Sequence, residues 1–465
     1  MKNTIAIILA AGEGTRFKSE TPKILHKILG KTIIERVIEC VGNNFDKKII
    51  VVGHKADIVK KAINDKYKNI IFAEQAKQLG SGDAVRCVKS QYAELKNFNG
   101  NVVVLSGDVP LLKKETIDEL LLVHEKEKAT ASILTCEVDD PSHYGRIVRN
   151  IDPLHQGVNE TSGTIKAIVE AKDATDEIKK IKEINSGIYI FSSKELFSAL
   201  SEIKNDNSKG EYYLTDVISI LNKKNKKVVA YKIENFKEII GINNKYELSI
   251  AENYLREKVL ENLMYFGIII NNCATVYIEE TVEIEKDTII MPSTIIKGKT
   301  KIKSGCIIGP FSYVEDCSIG QNVEIRASFV YGAEIANDVK IGPFSHIRKE
   351  TKIAKHARIG NFSEIKKSII GENTKVSHLS YIGDSILGKN INIGAGTITC
   401  NYDGKNKYKT EIGDGTFVGS NTNLVAPIKI GKNVLIAAGS TITDDVPDNK
   451  LAIARERQII KKKKN

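Results

Sequence analysis

The sequence predicts two folds in series: an α/β domain with a mixed, mostly parallel sheet, followed by a left-handed parallel β-helix of hexapeptide repeats. Three observations carry this expectation. At 465 residues the chain exceeds what one hydrophobic core ordinarily serves. Through its first half, short β-branched apolar runs alternate with amphipathic stretches. Beyond Ile278, aliphatic residues recur every sixth position, a period that fits neither helix nor alternating strand.

In the first half, residues 5–9, 49–52, 102–105, 132–138 and 188–191 read as strands, with residues 32–41 and 84–95 as helices between the early ones. Parallel sheets of this kind bind ligands at the carboxyl ends of their strands. A helix is expected over residues 243–266, where Leu248, Leu255, Val259 and Leu263 recur at helical spacing. Asn243 or Asn244 supplies its cap and Gly267 its stop. It reads as a linker, giving domains of 1–245 and 267–465 around residues 246–266.

The repeats then run without a miss through Ile278, Ile284, Ile290, Ile296, Ile302, Ile308 and Val314. The register slips to Ile319 and Ile325, resumes from Ile335 to Ile365, and runs again from Ile412 to Ile442. Each hexapeptide contributes one short strand and a turn, and each coil stacks its aliphatic residue in a central column. Between Ile393 and Ile412 the repeat breaks around Thr397, Ile398, Thr399, Cys400, Asn401, Tyr402, Asp403 and Gly404. Insertions into solenoids project as loops, often on the binding face. A tolerated surface loop is the plainer alternative, but polar side chains and a tyrosine favour function.

Composition sets the class. Hydrophobic residues at 42% and charged residues at 27% are ordinary for a globular protein. No apolar run approaches a membrane span, and residues 5–11 are too short for a signal sequence, so a cytoplasmic protein is expected. Seven scattered cysteines without a CxxC pair support neither a disulfide framework nor a zinc site. The net charge of +11 is spread along the chain, and the run Lys461, Lys462, Lys463, Lys464 reads as a solvated end rather than a nucleic-acid patch. A diffuse positive field favours small anionic substrates.

Leu9-Ala10-Ala11-Gly12-Glu13-Gly14-Thr15-Arg16 follows the first strand directly. Glycines there let backbone N–H groups close around phosphate or base. It is neither a GxGxxG fingerprint nor a Gly-Lys-Ser/Thr phosphate loop. Arg16 and Lys23, in Thr21-Pro22-Lys23, add cations to the same sheet edge. This stretch resembles the sugar-1-phosphate nucleotidyltransferases, marked by Gly-x-Gly-Thr-Arg followed by Pro-Lys, and so implies a Rossmann-like nucleotidyltransferase domain. Gln75, Gly80-Ser81-Gly82, Ser106-Gly107-Asp108, Tyr144-Gly145-Arg146, Val169-Glu170, Glu183-Ile184-Asn185-Ser186-Gly187 and Gly241-Ile242-Asn243 extend the match. Together with the repeats, they resemble the bifunctional N-acetylglucosamine-1-phosphate uridyltransferase and glucosamine-1-phosphate acetyltransferase over nearly the whole chain.

That resemblance implies roles. Asp108 and Asn243 would ligate Mg²⁺; a loop aspartate more often caps or turns, but this one follows an apolar strand within the motif. Arg16 and Lys23 would hold the triphosphate of UTP. Leu9, Ala10, Ala11 and Gly12, with Ser106 and Gly107, would line the nucleotide site, while Gln75, Gly80 and Ser81 meet uracil. Gly145, Glu170 and Asn185 would meet the sugar, although Glu170 also suits a surface ion pair. The family often has tyrosine where Ser106 stands and histidine where Asp83 stands, which implies altered contacts rather than lost activity.

For acetyl transfer from acetyl-CoA to glucosamine 1-phosphate, the resemblance implies His378 as general base, and imidazole titrates near working pH. His378 lies off the aliphatic rows, which Val376 and Ile382 hold. Arg348, Lys366, Tyr381 and Asn392 would bind the sugar phosphate, and Ala395, Asn401, Tyr402, Ser420, Ala438 and Arg455 the acetyl-CoA, at a site between neighbouring solenoids of a homotrimer. The product, N-acetylglucosamine 1-phosphate, would then enter uridylyl transfer. Two alternatives are a nucleotidyltransferase with a purely architectural solenoid, and a non-catalytic scaffold of the translation exchange-factor kind. His378 with Asn401-Tyr402 speaks against the first, and intact Arg16, Lys23 and Asp108 against the second.

Overall fold

A computed structural model describes residues 3–150 and 164–463; Lys464 of the terminal run lies outside them. The chain divides into two compact units between Asn253 and Tyr254, within the helix α8 (Lys245–Tyr265).

In the first unit, the central strand β1 (Thr4–Ala10) is apolar and buried along almost its whole length, as a parallel strand covered on both faces must be. Ile5 and Ile7 feed the core on one side of the sheet, and Ala6 and Ile8 the core on the other. Two short strands, β2 (Lys27–Ile28) and β3 (Lys31–Thr32), form a small hairpin before helix α1 (Ile33–Val41). Thr32 caps that helix: its hydroxyl accepts from the Glu35 amide at 3.3 Å, and Glu35 Oε2 accepts from the Thr32 amide at 2.6 Å.

The remaining elements are β4 (Lys47–Val52), α2 (Ala56–Asn64), β5 (Ile70–Glu74), α3 (Ser81–Gln91), β6 (Asn101–Ser106), α4 (Lys114–Lys126), β7 (Ala131–Glu137), β8 (Arg146–Arg149) and β9 (Ile165–Val169). They are followed by α5 (Asp176–Lys179), β10 (Glu183–Ser192), α6 (Ser193–Ala199), α7 (Asp216–Lys223) and β11 (Val228–Ile233). Among the described residues the sheet order is β11-β7-β10-β6-β1-β4-β5, with β8 and β9 attached beside β10. Only β10, β8 and β9 pair antiparallel, so the sheet is mixed and mostly parallel. The expected strands are all present. Those at β5, β8, β9 and β11 were not expected, because each is short or mixes polar residues into its run. The helix expected at 84–95 starts earlier, at Ser81.

The second unit is a parallel β-helix of three sheets, of the left-handed form that hexapeptide repeats build. Most successive coils pair in parallel at separations of 16 to 18 residues, as in Tyr313↔Phe329, Phe329↔His346 and Ile289↔Ile307, widening to 25 across the inserted loop, as in Ile398↔Asn423. The aliphatic column from Ile290 to Ile442 is buried throughout. Val330 belongs to it, five residues from both Ile325 and Ile335, which explains the slip in period. A second inward row lies two residues before each aliphatic. It holds small residues such as Thr288, Thr294, Thr300, Ser312 and Ser328. The expected break is narrower than the sequence suggested: Ile398–Cys400 continues its sheet and Thr399 stands in the column, fully buried. Its hydroxyl accepts from the Gly383 amide at 2.8 Å, so the polar atom is satisfied. Leu260, near the end of α8, joins the same core, and Arg256 donates to the Cys273 carbonyl at 2.6 Å.

Candidate functional site

Strands β1, β4, β5 and β6 end side by side, and the residues following them form the first candidate site. The Gly107 amide donates to the Leu9 carbonyl at 2.8 Å, and a Cβ at Gly107 would lie equally close to that oxygen, so glycine is required there. Ala10 is next to the same spot, and the Ala11 carbonyl accepts from the His54 amide at 3.3 Å. Gly12 is exposed beyond them.

Four predicted residues from distant parts of the chain converge at this edge. Lys23 Nζ lies 2.6 Å from Asp108 Oδ2, and Arg16 donates to Asn243 Oδ1 at 2.8 Å. A Cβ on Gly241 would lie 3.9 Å from both Asp108 Oδ1 and Asn243 Nδ2. The Ile242 amide donates to the Asp108 carbonyl at 2.9 Å, which ties the two segments together. Asn243 is held in turn by Glu247, whose carboxylate accepts from its amide at 2.5 Å. A carboxylate and an amide oxygen suit a small hard cation that takes its other ligands from phosphate and water. Glu247 was not expected, because its sequence signal is that of an ordinary first-turn helix acid.

Gln75 is almost fully buried after β5. Its Nε2 donates to the Gly80 carbonyl at 3.0 Å and to Asp83 Oδ2 at 2.8 Å. The Ser81 hydroxyl accepts from the Leu214 amide at 3.0 Å, and Gly80 adopts φ +109° because a Cβ would meet the Tyr212 carbonyl at 2.6 Å. On the other side, the Gly145 carbonyl accepts from the Asn185 amide at 2.9 Å. Asn185 Nδ2 donates to the Tyr189 hydroxyl at 2.6 Å, and its Oδ1 accepts from the Gly187 amide at 3.2 Å. Ser106 Oγ lies against Gly187. Glu170 is half-buried, and burial pushes its carboxyl up; the Lys209 charge and the Thr215 hydroxyl, 3.4 Å away, counter this in part. No ion pair to Glu170 is found among the described residues, so the surface-pair alternative is not what the structure displays.

In the second unit one corner gathers part of the predicted set. Val376, Ile393, Val418 and Ile436 pair in register, so His378, Ala395, Ser420 and Ala438 occupy equivalent places on successive coils. Arg455 reaches the same edge, its Cδ 3.9 Å from where a Cβ on Gly439 would sit. His378 is exposed, with Nδ1 2.5 Å from Asn361 Oδ1. An amide oxygen accepts, which places the ring proton on Nδ1 and leaves Nε2 with its lone pair. Asn392 lies in the strand just before this corner.

Arg348 and Lys366 stand in register with Gly383 at the opposite edge of the sheet that Tyr381 begins. Arg348 pairs with Glu364 at 2.9 Å. A Cβ on Gly383 would lie 2.5 Å from the Tyr381 hydroxyl and 2.8 Å from Asn401 Nδ2, and Asn401 donates to Asp384 at 2.6 Å. Tyr402 is exposed and bridges to Lys407 across the inserted loop. That loop brings Lys407 to Lys366, whose side-chain hydrogen bond, and then its charge, push the Lys407 ammonium down. The sequence does not single out Lys407, one lysine among many, because only the folded loop supplies its neighbour.

Comparisons with known proteins follow these two units. A nucleotidyl transferase family model matches residues 5–238, and a bacterial transferase hexapeptide model of six repeats matches 332–367 and 409–444. Bifunctional protein GlmU of Acetivibrio thermocellus is 47% identical over 99% of this chain and 97% of its own length. The Halalkalibacterium halodurans protein of the same name is 45% identical over 98% and 97%, respectively. Among solved structures, a UDP-glucose pyrophosphorylase complexed with UDP-glucose aligns with 55% of this chain and 99% of that one, at 20% identity and a TM-score of 0.41, too distant to bear on the fold. With nucleotidyl transferase and hexapeptide family models each matching within its own unit, and full-length relatives well above 40% identity, the chain belongs to the GlmU family of bifunctional transferases.

Proposed function

We propose that this chain carries out two successive transfers: acetyl-CoA-dependent N-acetylation of glucosamine 1-phosphate, then Mg²⁺-dependent uridylyl transfer from UTP to N-acetylglucosamine 1-phosphate. The observation that carries this reading is the presence, on separate units, of the Arg16–Lys23–Asp108–Asn243 convergence and of the His378 corner.

In uridylyl transfer, a sugar-phosphate oxygen bonds to the α-phosphorus of UTP while the bond to the bridging oxygen breaks and pyrophosphate leaves. Two polyanions must meet, so catalysis is positioning and charge neutralisation. Arg16 and Lys23, paired to Asn243 and Asp108, are placed to hold phosphate oxygens. Asp108 and Asn243 would hold Mg²⁺, which supplies further neutralisation of the phosphates. Gln75, Gly80 and Ser81 face uracil; Gly145, Glu170 and Asn185 face the sugar.

In acetyl transfer, the substrate amine attacks the thioester carbonyl, the C–S bond breaks and CoA leaves as thiol. His378 Nε2 accepts the proton lost by the amine, and the Asn361 contact holds the ring for it. Small residues at Ala395, Ser420 and Ala438 let a pantetheine arm approach the coil corner. His378 and the Arg348–Lys366 pair lie at opposite edges of one sheet, so a neighbouring copy completes the pocket. A homotrimer is part of this reading. The His378 corner continues into an exposed ladder of Phe311, Phe344, Phe362 and Leu379, at 57 to 68% exposure in the single chain, which is an apolar surface suited to a second copy. No helix among the described residues is long and apolar enough to cross a membrane, and free cysteines throughout suit the cytoplasm.

Pyrophosphate release and CoA-thiol release in one preparation test the division of labour. Asp108→Ala is expected to lower the first by about 100-fold or more and spare the second. His378→Ala is expected to do the reverse, by about 100-fold or more. If either variant silences both in folded protein, the reading fails. An assembled wild type that never releases CoA leaves the single-activity alternative standing.

A further inference from the structure

We propose that Asp83 sets the base specificity of the nucleotide site by locking the orientation of the Gln75 amide, so that only a carbonyl oxygen is offered to the base. This rests on the nucleotide-site reading above. Gln75 has two N–H donors and one oxygen. Its amide group faces the Gly80 carbonyl at 3.0 Å and Asp83 Oδ2 at 2.8 Å. Both neighbours are acceptors, so the NH₂ end must face them, and a flipped amide would set oxygen against oxygen. With both donors spent inside the protein, Oε1 remains, and no protein donor reaches it among the described residues.

Asp83 is itself held. It sits in the first turn of α3, where a carboxylate is favoured, and the Cys87 thiol approaches its Oδ2 at 3.9 Å one turn on. Gly80 is pinned by the close passage of Tyr212, so the second acceptor is rigid as well. A residue that presents an acceptor alone selects a base with a ring N–H. Uracil carries one at N3; cytosine carries a lone pair there, which the same oxygen repels. Sites built around a fixed hydrogen-bond polarity reject the wrong partner more strongly than apolar pockets do. Removing Asp83 leaves the amide held by Gly80 alone, free to rock and to offer N–H to cytosine N3. Asp83 touches no substrate in this scheme; it is a positioning residue.

The test compares UTP with CTP as nucleotidyl donor to N-acetylglucosamine 1-phosphate, by pyrophosphate release, in wild type, Asp83→Ala and Asp83→Asn. CoA-thiol release by the same preparations reports that the chain is folded and assembled. Asp83→Ala is expected to reduce the ratio of kcat/KM for UTP over CTP at least tenfold. The change should lie mostly in KM, with kcat for UTP within about threefold of wild type. Asp83→Asn keeps an oxygen able to accept from Gln75 Nε2 and should hold the ratio within about threefold. A ratio unchanged in Asp83→Ala overturns the proposal, as does an equal loss with both nucleotides in both variants, which marks a merely structural role. A wild type that does not use UTP at all is a different failure, that of the nucleotide-site reading itself.

Discussion

Glu170 keeps a carboxylate half-buried beside Asp173 and Asp216, and the cost of that burial is felt as a raised pKa. A carboxyl whose folded pKa lies above its ordinary value of 4.5 binds more protons folded than unfolded. Stability therefore falls as pH rises through the interval above 4.5, and is fully present below it. Glu170→Gln is expected to raise the Tm at pH 7.5 by about 1–3 °C, with the gain vanishing near pH 4. The same change should raise KM for N-acetylglucosamine 1-phosphate severalfold, since the amide replaces a charged acceptor. Thermal scans across pH together with pyrophosphate assays check both signs. A residue that weakens the fold, as Glu170 does, is one the sequence exposes only by motif. The sequence singles out Glu170, Asn185 and Gly145 through their place in a family pattern, whereas it does not single out Glu247 and Lys407. Their meaning lies in what the fold sets beside them, the Asn243 backbone amide for one and the Lys366 side chain for the other.

Among elements, the hexapeptide coil shows how far periodicity reaches. Its aliphatic column was readable because one residue type recurs at a fixed interval, while the companion row, which mixes Ser, Thr, Cys and Ala with Val and Ile, was not, being varied and unremarkable in composition. Thr399 was read as part of a break for the same reason: a threonine replaces the expected isoleucine, and only its hydroxyl contact with Gly383 reveals a column position. Thr399→Val should strand the Gly383 amide without a partner and cost about 1–3 kcal/mol, measured by denaturant unfolding of the intact protein. Ile365→Ala, at a site with no solvent exposure, should cost about 2–5 kcal/mol by leaving a void between coils. In the inserted loop, Lys407→Ala should raise KM for glucosamine 1-phosphate about tenfold with little change in kcat, if this ammonium and Lys366 share the phosphate. CoA-thiol assays read that split directly. In the first unit, strands of near-unbroken β-branched residues such as β1 and β6 were legible; β8 and β9 were not, because antiparallel pairing at a sheet margin tolerates arginine and lysine in the run.

For the molecule as a whole, the two activities make opposite demands on assembly. The proposed nucleotide site lies within one unit of one chain, while the proposed acetyl-transfer residues are split across a sheet. Phe344 and Phe362, stacked with centroids 5.5 Å apart, both stand at left-handed turn positions, φ 58° and 56°. Aspartate tolerates that conformation, so Phe344→Asp with Phe362→Asp removes apolar surface without adding backbone strain. The double variant is expected to sediment as a monomer and to lose CoA-thiol release at least tenfold, while pyrophosphate release stays near wild type. A trimer that persists, or a monomer that still acetylates, contradicts the proposed pocket. Fold class and the split into two units were legible because each half repeats its own signal many times. The proposed neighbouring copy rests, in the sequence, on resemblance alone.

The stacked coil, 16 to 18 residues over most of its length, also makes the second unit a ruler. Adding or deleting one whole coil keeps every rung bonded to the next and moves His378 by a single strand spacing, about 4.8 Å, along the phenylalanine ladder. Extra residues that stay within a turn, as in the 25-residue coils around the inserted loop, leave the later side chains on their faces. Evolution and engineering can therefore lengthen the stack itself only in discrete steps, and in the proposed assembly each step resets where His378 meets a neighbouring copy.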